Sequence, residues 1–199
     1  MRILALADKA DERLWGMLDK RLLEGVDLIL SAGDLPAEYL SFLTCFTKAP
    51  VLYIHGNHDV RYAKNPPEGC VCIEDTVYTY DGIRILGLGG SYRYKPGPCM
   101  YTEREMCLRL MRLKLRRQLR KAGGFDILLT HAPARGIGDQ EHISHRGFEV
   151  FLKLMDRYHP KYLIHGHIHR EYTAVGFQRE RQYGSTTVVN ASNRVYIDI

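Results

Sequence analysis

Paired cysteines are missing from this sequence. Its five cysteines form an odd set with no C-x-x-C spacing: Cys45, Cys70, Cys72, Cys99 and Cys107. A disulfide-rich secreted domain or a zinc ribbon normally shows cysteines paired at fixed spacings. The sequence therefore argues against both classes and favours a reducing, cytoplasmic compartment.

Long apolar runs are missing too. The apolar stretch at residues 1–7 ends at Asp8 and Lys9, so it is too short for a signal peptide or a bilayer-spanning helix. We therefore expect no membrane partner. The 199 residues, 45% of them hydrophobic and 26% charged, have the composition of a globular protein. No repeat or long linker divides them, so we expect a single domain over residues 1–199.

Several sequence signatures of other enzyme classes are also absent. There is no G-x-x-x-x-G-K-[ST] phosphate loop, and the glycines at residues 87–90 lack the spacing of a dinucleotide-binding fingerprint. Ser91 follows these glycines without the flanking residues of a nucleophile elbow. These absences argue against a P-loop nucleotidase, a dinucleotide-dependent oxidoreductase and a serine hydrolase.

Positive charge is concentrated in one segment. The net charge is +5, and residues 104–121 hold eight basic side chains against one acidic side chain, Glu105. Apolar residues interleave there, which predicts an amphipathic helix with a basic outer face. Such a face is usually solvated, and the alternative is a patch that binds nucleic acid or an anionic membrane surface. Nucleic-acid binding is disfavoured because the segment has no aromatic residue to stack on bases.

Short apolar runs alternate with helical patterns in the first part of the chain. We expect strands at residues 3–7, 27–31 and 51–54 and helices at residues 13–24 and 39–47. This β-α-β-α-β order predicts an α/β fold with a parallel sheet. Further on we expect strands at 71–73, 77–80, 83–88, 127–130 and 162–165, a hairpin turn at Asp81-Gly82, a helix at 148–158 and antiparallel strands after residue 171.

Polar side chains that could bind a metal follow the ends of five expected strands. They are Asp8, Asp34, the run Gly56-Asn57-His58-Asp59, His131, and the run Gly166-His167-Ile168-His169. In open α/β sheets, ligands gather at the carboxyl ends of the strands. The sequence therefore predicts that these oxygen and nitrogen donors meet at one edge. His55 and His165 lie within apolar runs, and we interpret them as structural.

These motifs resemble those of the calcineurin-like metallophosphoesterase superfamily, whose pattern is D-x-H, G-D, G-N-H-D/E, H and G-H-x-H. The resemblance extends from Asp8 to His169, and four of the five motifs match. It implies a sandwich of two mixed β-sheets flanked by helices, with a two-metal site on its upper edge. It implies one metal bound by Asp8, Asp34 and His169, and a second bound by Asp34, Asn57, His131 and His167.

The first motif departs from the family pattern. Ala10 stands where the family has a metal-binding histidine. We therefore expect two unequal metal sites, unless Asp11 or Glu12 substitutes; Asp11 could equally be the N-cap of the following helix.

The resemblance implies metal-dependent hydrolysis of phosphate esters, most naturally phosphodiesters. Paired ions lower the pKa of a bridging water and neutralise the phosphoryl oxygens, and the two oxygens of Asp34 suit a bridge. Mixed carboxylate, amide and imidazole donors suit manganese, which we expect first, or iron, nickel or zinc. By the same resemblance, His58 would contact the phosphate and protonate the leaving oxygen, with Asp59 orienting its ring.

Substrate contacts are expected from Asn57 and His58, and from two residues outside the motifs. Arg146, beside His142 and His145, could bind phosphate near the start of a helix. Tyr92 lies in an aromatic and basic loop, residues 92–101, that could line a substrate.

We expect a small phosphorylated substrate. The alternatives are a metal-binding or phosphate-sensing protein with little turnover, because of Ala10, and a nuclease, because of the basic helix.

Overall fold

A computed structural model describes residues 1–112, 124–169 and 177–199. In chain order, the strands are β1 (Arg2–Ala7), β2 (Leu28–Ser31), β3 (Val51–Tyr53), β4 (Val71–Cys72), β5 (Val77–Tyr80), β6 (Ile83–Leu88), β7 (Ser91–Tyr92), β8 (Met100–Tyr101), β9 (Ile127–Thr130), β10 (Tyr162–His165), β11 (Glu180–Tyr183), β12 (Thr186–Asn190) and β13 (Asn193–Asp198). The helices are α1 (Glu12–Trp15), α2 (Ala37–Thr44), α3 (Glu103–Arg112) and α4 (Glu149–Tyr158), with 3-10 turns at Lys20–Leu23, Asp59–Ala63 and Ile143–His145.

Eleven of these strands form two mixed sheets, and β7 and β8 pair with each other in a separate two-stranded sheet. The first has the order β13-β1-β2-β3-β4 and the second β11-β12-β10-β9-β6-β5. Strands β1 to β4 run parallel, with β13 antiparallel at one edge. Strands β6, β9, β10 and β12 are likewise parallel, flanked by the antiparallel β5 and β11. The α/β sandwich implied by the sequence is confirmed.

Alternate residues of the central strands enter different cores. Ile3 and Ala5 of β1 belong to the core between the two sheets, together with Ile127 of β9. Leu4 and Leu6 point to the other face and belong to the core that contains the α2 side chains. Because both faces of β1 are buried, its sequence is a nearly continuous apolar run rather than an alternating one.

The outer face of the second sheet is covered by α3 and α4. Phe151 and Met155 of α4 and Met106 of α3 pack in one cluster with Leu128 of β9 and Leu163 of β10. Within the described ranges, no helix is both long enough and apolar enough to cross a bilayer.

The helix expected at residues 13–24 is wrong, because it is broken after one turn. Helix α1 ends at Trp15, and Leu18 adopts a left-handed φ of 42°. Asp19 accepts hydrogen bonds from the Arg13 and Arg21 guanidinium groups, each within 3.0 Å. Asp19 therefore has an extended backbone conformation where the helix was expected to continue, and a short 3-10 turn follows at Lys20–Leu23. Leu14 and Leu23 of this segment are buried, whereas Trp15 and Met17 are exposed, so the apolar spacing predicted neither a continuous helix nor the burial of all its apolar residues.

The expected antiparallel C-terminal strands divide between the sheets. Strand β11 pairs antiparallel with β12, but β12 lies parallel to β10 in the second sheet. The chain then crosses, and β13 pairs antiparallel with β1 in the first sheet. The C-terminal segment therefore links the two layers.

The basic helix is tied to the fold by one of its arginines. Arg109 of α3 forms ion pairs of 2.7 Å with both Glu74 and Asp75, and donates a hydrogen bond of 2.7 Å to the carbonyl of Gly89. Its guanidinium also lies 4.2 Å from the centroid of the Tyr101 ring. Arg109 is thus not part of a solvated basic face. The expected remainder of this helix, residues 113–121, lies outside the described residues.

We expect Arg109→Met to lower the free energy of unfolding by at least about 2 kcal/mol, because it leaves partly buried carboxylates without their cation. Arg112→Met, at an exposed position of the same helix, is the matched control and should change stability by less than about 0.5 kcal/mol. Urea unfolding measures both. Equal effects of the two substitutions would contradict a specific role for Arg109.

Candidate active site

The carboxyl ends of the central strands of both sheets meet at one edge of the sandwich. The Nδ1 atom of His131, which follows β9, lies 2.8 Å from the carbonyl of Ala32, which follows β2. The main-chain N–H of His167, beyond β10, donates to Oδ1 of Asp8, beyond β1, at 2.8 Å. The tips of the first and second sheets are therefore joined directly, as the strand-end pattern predicted.

Three of the expected metal ligands lie on left-handed turns. Asp8, Asp34 and His167 have φ values of 65°, 58° and 68°. Non-glycine residues seldom adopt this conformation, and where they do it often serves a functional site. Here it turns each side chain sharply off the end of its strand toward the common edge.

The turns after β2 and β3 interlock through Asp34 and Gly56. A Cβ atom on Gly56 would lie 2.0 Å from Oδ1 of Asp34, so only glycine fits there. Oδ2 of Asp59 accepts hydrogen bonds of 2.7 Å from the N–H groups of both Asp34 and Gly56. The N–H of His58 donates to Oδ1 of Asp34, also at 2.7 Å. This network fixes the Asp34 carboxylate.

The expected hydrogen bond from Asp59 to the His58 ring is not among those found in the described residues. The Asp59 carboxyl is buried, and its Oδ2 binds main-chain N–H groups instead. Burial and the neighbouring Asp34 raise the pKa of Asp59 to about 6. In this structure Asp59 therefore braces the two turns, and its effect on the His58 ring stays a prediction.

Three hydrogen-bond acceptors converge around His131. Because Nδ1 of this fully buried ring faces the Ala32 carbonyl, Nδ1 carries a proton. Its Nε2 lies 3.0 Å from Oδ1 of Asn57 and 3.3 Å from Oδ2 of Asp34. A neutral ring would point a lone pair at two oxygens, so a proton or a cation has to lie between them. Burial opposes charging of His131, but Asp34 and Asp8 prevail and raise its pKa to about 9.

A second backbone carbonyl fixes the other histidine. Nε2 of His167 lies 2.6 Å from the carbonyl oxygen of Ser144 and must donate to it, which leaves the Nδ1 lone pair available. Burial lowers the pKa of His167 to about 3, so the ring is neutral. One donor atom from each of Asp34, His131 and His167 lies within 4.8 Å of the others, and this set fits a divalent cation.

Asp8 carries an uncompensated oxygen. Its Oδ2 is buried and has no hydrogen-bond partner in the described part of the chain. Burial raises the pKa of Asp8 despite the opposing effects of His131, the His167 N–H and His169. A buried carboxylate oxygen without a donor is costly, and a bound cation is one way to compensate it. Asp8 is thus suited to bind a cation, while the compact donor group of the described residues is Asp34, His131 and His167.

No acidic side chain takes the place of the histidine missing at Ala10 within the described residues. Ala10 packs against the apolar cluster on the α2 side of the first sheet. Asp11 caps α1 by accepting a hydrogen bond of 2.9 Å from the Arg13 N–H, and its other oxygen pairs with Arg194. Glu12 is exposed. Asp11 is therefore an N-cap, which was one of its two expected roles.

The metal-binding edge opens into two cavities that share Asp34 and His58. The first, of about 320 Å³, is also lined by Asn57, Tyr94, Ser144, His145, His167 and His169. The second, of about 510 Å³, is also lined by Asp8, Asp59, Arg61, Asn65 and the residues that begin α2. We call the first the histidine cleft. His58 is exposed between the two cavities.

The two substrate contacts expected outside the motifs lie elsewhere. Arg146 packs over the Tyr92 ring, 5.2 Å from its centroid, and Tyr92 in turn packs against Phe148. Neither residue is among those that line the cleft; their neighbours Tyr94 and His145 are. Tyr94 and His145 lie in the two loops that the sequence offered as substrate contacts. Nothing in the sequence decided which residue of each loop would face the site.

Two expectations concerned histidines outside the ligand set. His165 is fully buried, donates from Nδ1 to the Gly166 carbonyl at 2.9 Å, and has its pKa lowered to about 4 by burial. His55 hydrogen bonds with Glu74, and the side chains of Cys72 and Glu74 raise its pKa to about 10. Both contacts are consistent with structural roles.

Comparison with known proteins supports the same interpretation. A family model described as calcineurin-like phosphoesterase matches residues 1–171. The chain is 25% identical to the UPF0046 protein K07C11.7 of Caenorhabditis elegans over 196 residues, which covers 83% of this chain and 62% of that protein. The chain thus spans less than two thirds of the length of this relative.

Two solved structures share the fold. The protein TT1561 of Thermus thermophilus has a TM-score of 0.64 at 17% identity, covering 96% of this chain and 89% of that one. GAP50, described as the anchor in the inner membrane complex of Plasmodium, has a TM-score of 0.57 at 14% identity, covering 96% and 71%.

Metal affinity should depend on pH, because His131 has to lose a proton before its Nε2 can bind a cation. Below a pKa of about 9 this proton is present in the metal-free site. Manganese affinity should therefore weaken as pH falls, by about tenfold per unit if one proton is displaced. Titration calorimetry at pH 6.5 and 8.5 measures this change, and equal affinities at the two values would contradict it.

Proposed function

The chain belongs to the calcineurin-like phosphoesterase family, and from that premise we propose that it hydrolyses phosphate esters, with phosphodiesters as the first candidates, at a site for two divalent metal ions. The observation that carries the proposal is that Asn57 Oδ1 and Asp34 Oδ2 lie 3.0 and 3.3 Å from the same atom, Nε2 of His131. These acceptors need a positive charge among them, which protonated His131 supplies in the metal-free site and a bound cation would supply in its place.

The donor atoms divide into two groups that share Asp34. One ion would be held by Asp34, Asn57, His131 and His167, and the other by Asp8, Asp34 and His169. When bound, such ions supply an activated water and neutralise charge on the phosphoryl oxygens. Manganese, iron, nickel and zinc all suit these donors, and we place manganese first.

The side chains of the protein would position the ester and supply a proton. His58 is anchored at its N–H by Asp34 while its ring remains exposed beside both cavities. We assign its imidazole N–H the role of donating a proton to the leaving oxygen. Asn57 is held at 3.0 Å from His131 and would contribute its amide to the metal and to the phosphate.

A small phosphorylated substrate fits the dimensions of the site. The cavities on either side of His58 measure about 320 and 510 Å³, within the range of about 300–1,000 Å³ typical of small-molecule sites. The nuclease alternative depended on the basic segment, of which Arg109 is committed to internal ion pairs. We therefore place the small ester before nucleic acid. A cytoplasmic location remains a prediction from the cysteine content.

We expect His58→Ala to reduce turnover of bis-p-nitrophenyl phosphate about 100-fold or more, as is usual for loss of a general acid. Bound manganese should remain unchanged, because the ring is not a proposed ligand. Asp34→Asn should abolish turnover and lower the metal content. Metal loss in His58→Ala would overturn its assignment, and bound metal without turnover of any ester in the wild type would favour the sensor alternative.

We also expect two unequal manganese affinities in the wild type, because Ala10 leaves one ion with fewer donors. Asp8→Asn should remove the weaker event in a calorimetric titration and leave the stronger one. Asp11→Asn is the control, since Asp11 is engaged with α1 and Arg194. Two equal, tight sites in the wild type would contradict this expectation.

A further inference from the structure

The loop that follows β9 brings one histidine into the histidine cleft that belongs to none of the family motifs. His145 ends the 3-10 turn Ile143–His145, and its ring centroid lies 5.4 Å from that of His167. It lines the same cavity as Asp34 and His58. His58 follows a strand of the first sheet, whereas His145, like His167 and His169, follows a strand of the second sheet.

His145 does not belong to the compact set of metal donors. Among the described residues, the donor atoms that lie within 4.8 Å of one another come from Asp34, His131 and His167. His145 is only partly buried, whereas His131 and His167 are buried. His145 therefore lies in the wall of the cavity that also contains Asp34 and His167, beside the donor set and not within it.

The turn that carries His145 is held rigidly. Asp139 accepts hydrogen bonds from the N–H groups of Gly136 at 2.8 Å and Gly147 at 3.0 Å, and pairs with Arg135 at 2.7 Å. The N–H of Gln140 donates to the carbonyl of His145 at 3.1 Å. A group held in this way can bind a ligand with little loss of conformational entropy.

The same turn also supports a metal ligand. The carbonyl of Ser144 accepts the Nε2 proton of His167 at 2.6 Å. The backbone of Ser144 therefore orients a metal-binding ring, while the next side chain, His145, faces the cavity. The neighbouring Arg146 is stacked on Tyr92 and does not line the cleft, so His145 is the basic side chain of this turn that lies in the cleft wall.

We propose that His145 is a substrate-contacting residue whose imidazole N–H binds a phosphoryl oxygen of the ester held at the metal site. This inference rests on the proposed function, since it concerns the same cleft. Phosphoryl oxygens are acceptors, and imidazole has at least one N–H donor in either protonation state. The contact therefore does not require a particular charge on the ring.

The experiment compares His145→Ala, His145→Gln and His142→Ala in the manganese-loaded protein. His142 is the control for disturbance of the turn itself, because it is an exposed histidine that caps the turn by accepting a hydrogen bond from the Ser144 N–H, and its ring centroid lies 6.3 Å from that of His145. The first readout is the dissociation constant of inorganic phosphate by calorimetry. The others are bound manganese, and kcat and KM for bis-p-nitrophenyl phosphate.

We expect His145→Ala to weaken phosphate binding by about tenfold or more, the size of one hydrogen bond to a charged group. His145→Gln, which keeps an N–H donor, should recover part of this loss, and His142→Ala should bind phosphate like the wild type. Bound manganese should be equal in all four proteins. For the ester, the loss in His145→Ala should appear in KM at least as much as in kcat.

Unchanged phosphate affinity in His145→Ala, an equal loss in His142→Ala, or loss of manganese would each overturn the inference. Phosphate binding separates this outcome from failure of the proposed function. If the wild type binds phosphate with its metals but hydrolyses no ester, the hydrolytic proposal fails while the His145 contact is still tested by the binding constants.

Discussion

The site at the sheet edge depends on one electrostatic constraint. Side chains at the strand ends of both sheets bring hydrogen-bond acceptor atoms close together where little water reaches them. Asp8, Asp34 and Asn57 contribute oxygens, and His131 and His167 contribute nitrogens whose protonation is set by backbone carbonyls. Such an arrangement repels itself unless a proton or cation is present. The folding of two hydrophobic layers forces these atoms together, and binding of positive charge relieves the repulsion.

Much of the site is organised by the main chain. The carbonyls of Ala32 and Ser144 fix the two rings, and N–H groups of Gly56 and His58 fix the carboxylates of Asp59 and Asp34. Main-chain groups cannot be altered by substitution of their own side chains, and they move only if the turn moves. The donor geometry is therefore as rigid as the strand ends that carry it, which preorganises a metal site.

The departure at Ala10 has a structural counterpart. The residue at this position turns its methyl group to the apolar cluster, and the acidic side chain after it is used for capping and for Arg194. Asp8 is left with an uncompensated oxygen and fewer neighbouring donors than the family pattern supplies. The described residues thus contain one compact group of donors, Asp34, His131 and His167, and beside it a buried carboxylate, Asp8, that lacks the histidine of the family pattern.

The apolar runs of the sequence predicted an α/β fold with parallel strands, and the resemblance of its motifs to a known family implied the two-sheet sandwich that the structure has. The sequence also predicted that polar residues after the strand ends would meet at one edge, and Asp8, Asp34, Asn57, His131 and His167 do so. It could not determine that the 13–24 segment breaks at Leu18, because a left-handed turn stabilised by Asp19 leaves the apolar spacing unchanged. It also could not decide between Arg146 and His145, or between Tyr92 and Tyr94, since the direction of each side chain in a loop depends on backbone angles set by tertiary packing. The roles of the Ala32 and Ser144 carbonyls were decided by the tertiary structure alone, because every residue has a carbonyl and only the approach of the two sheets selects which of them meets a histidine ring.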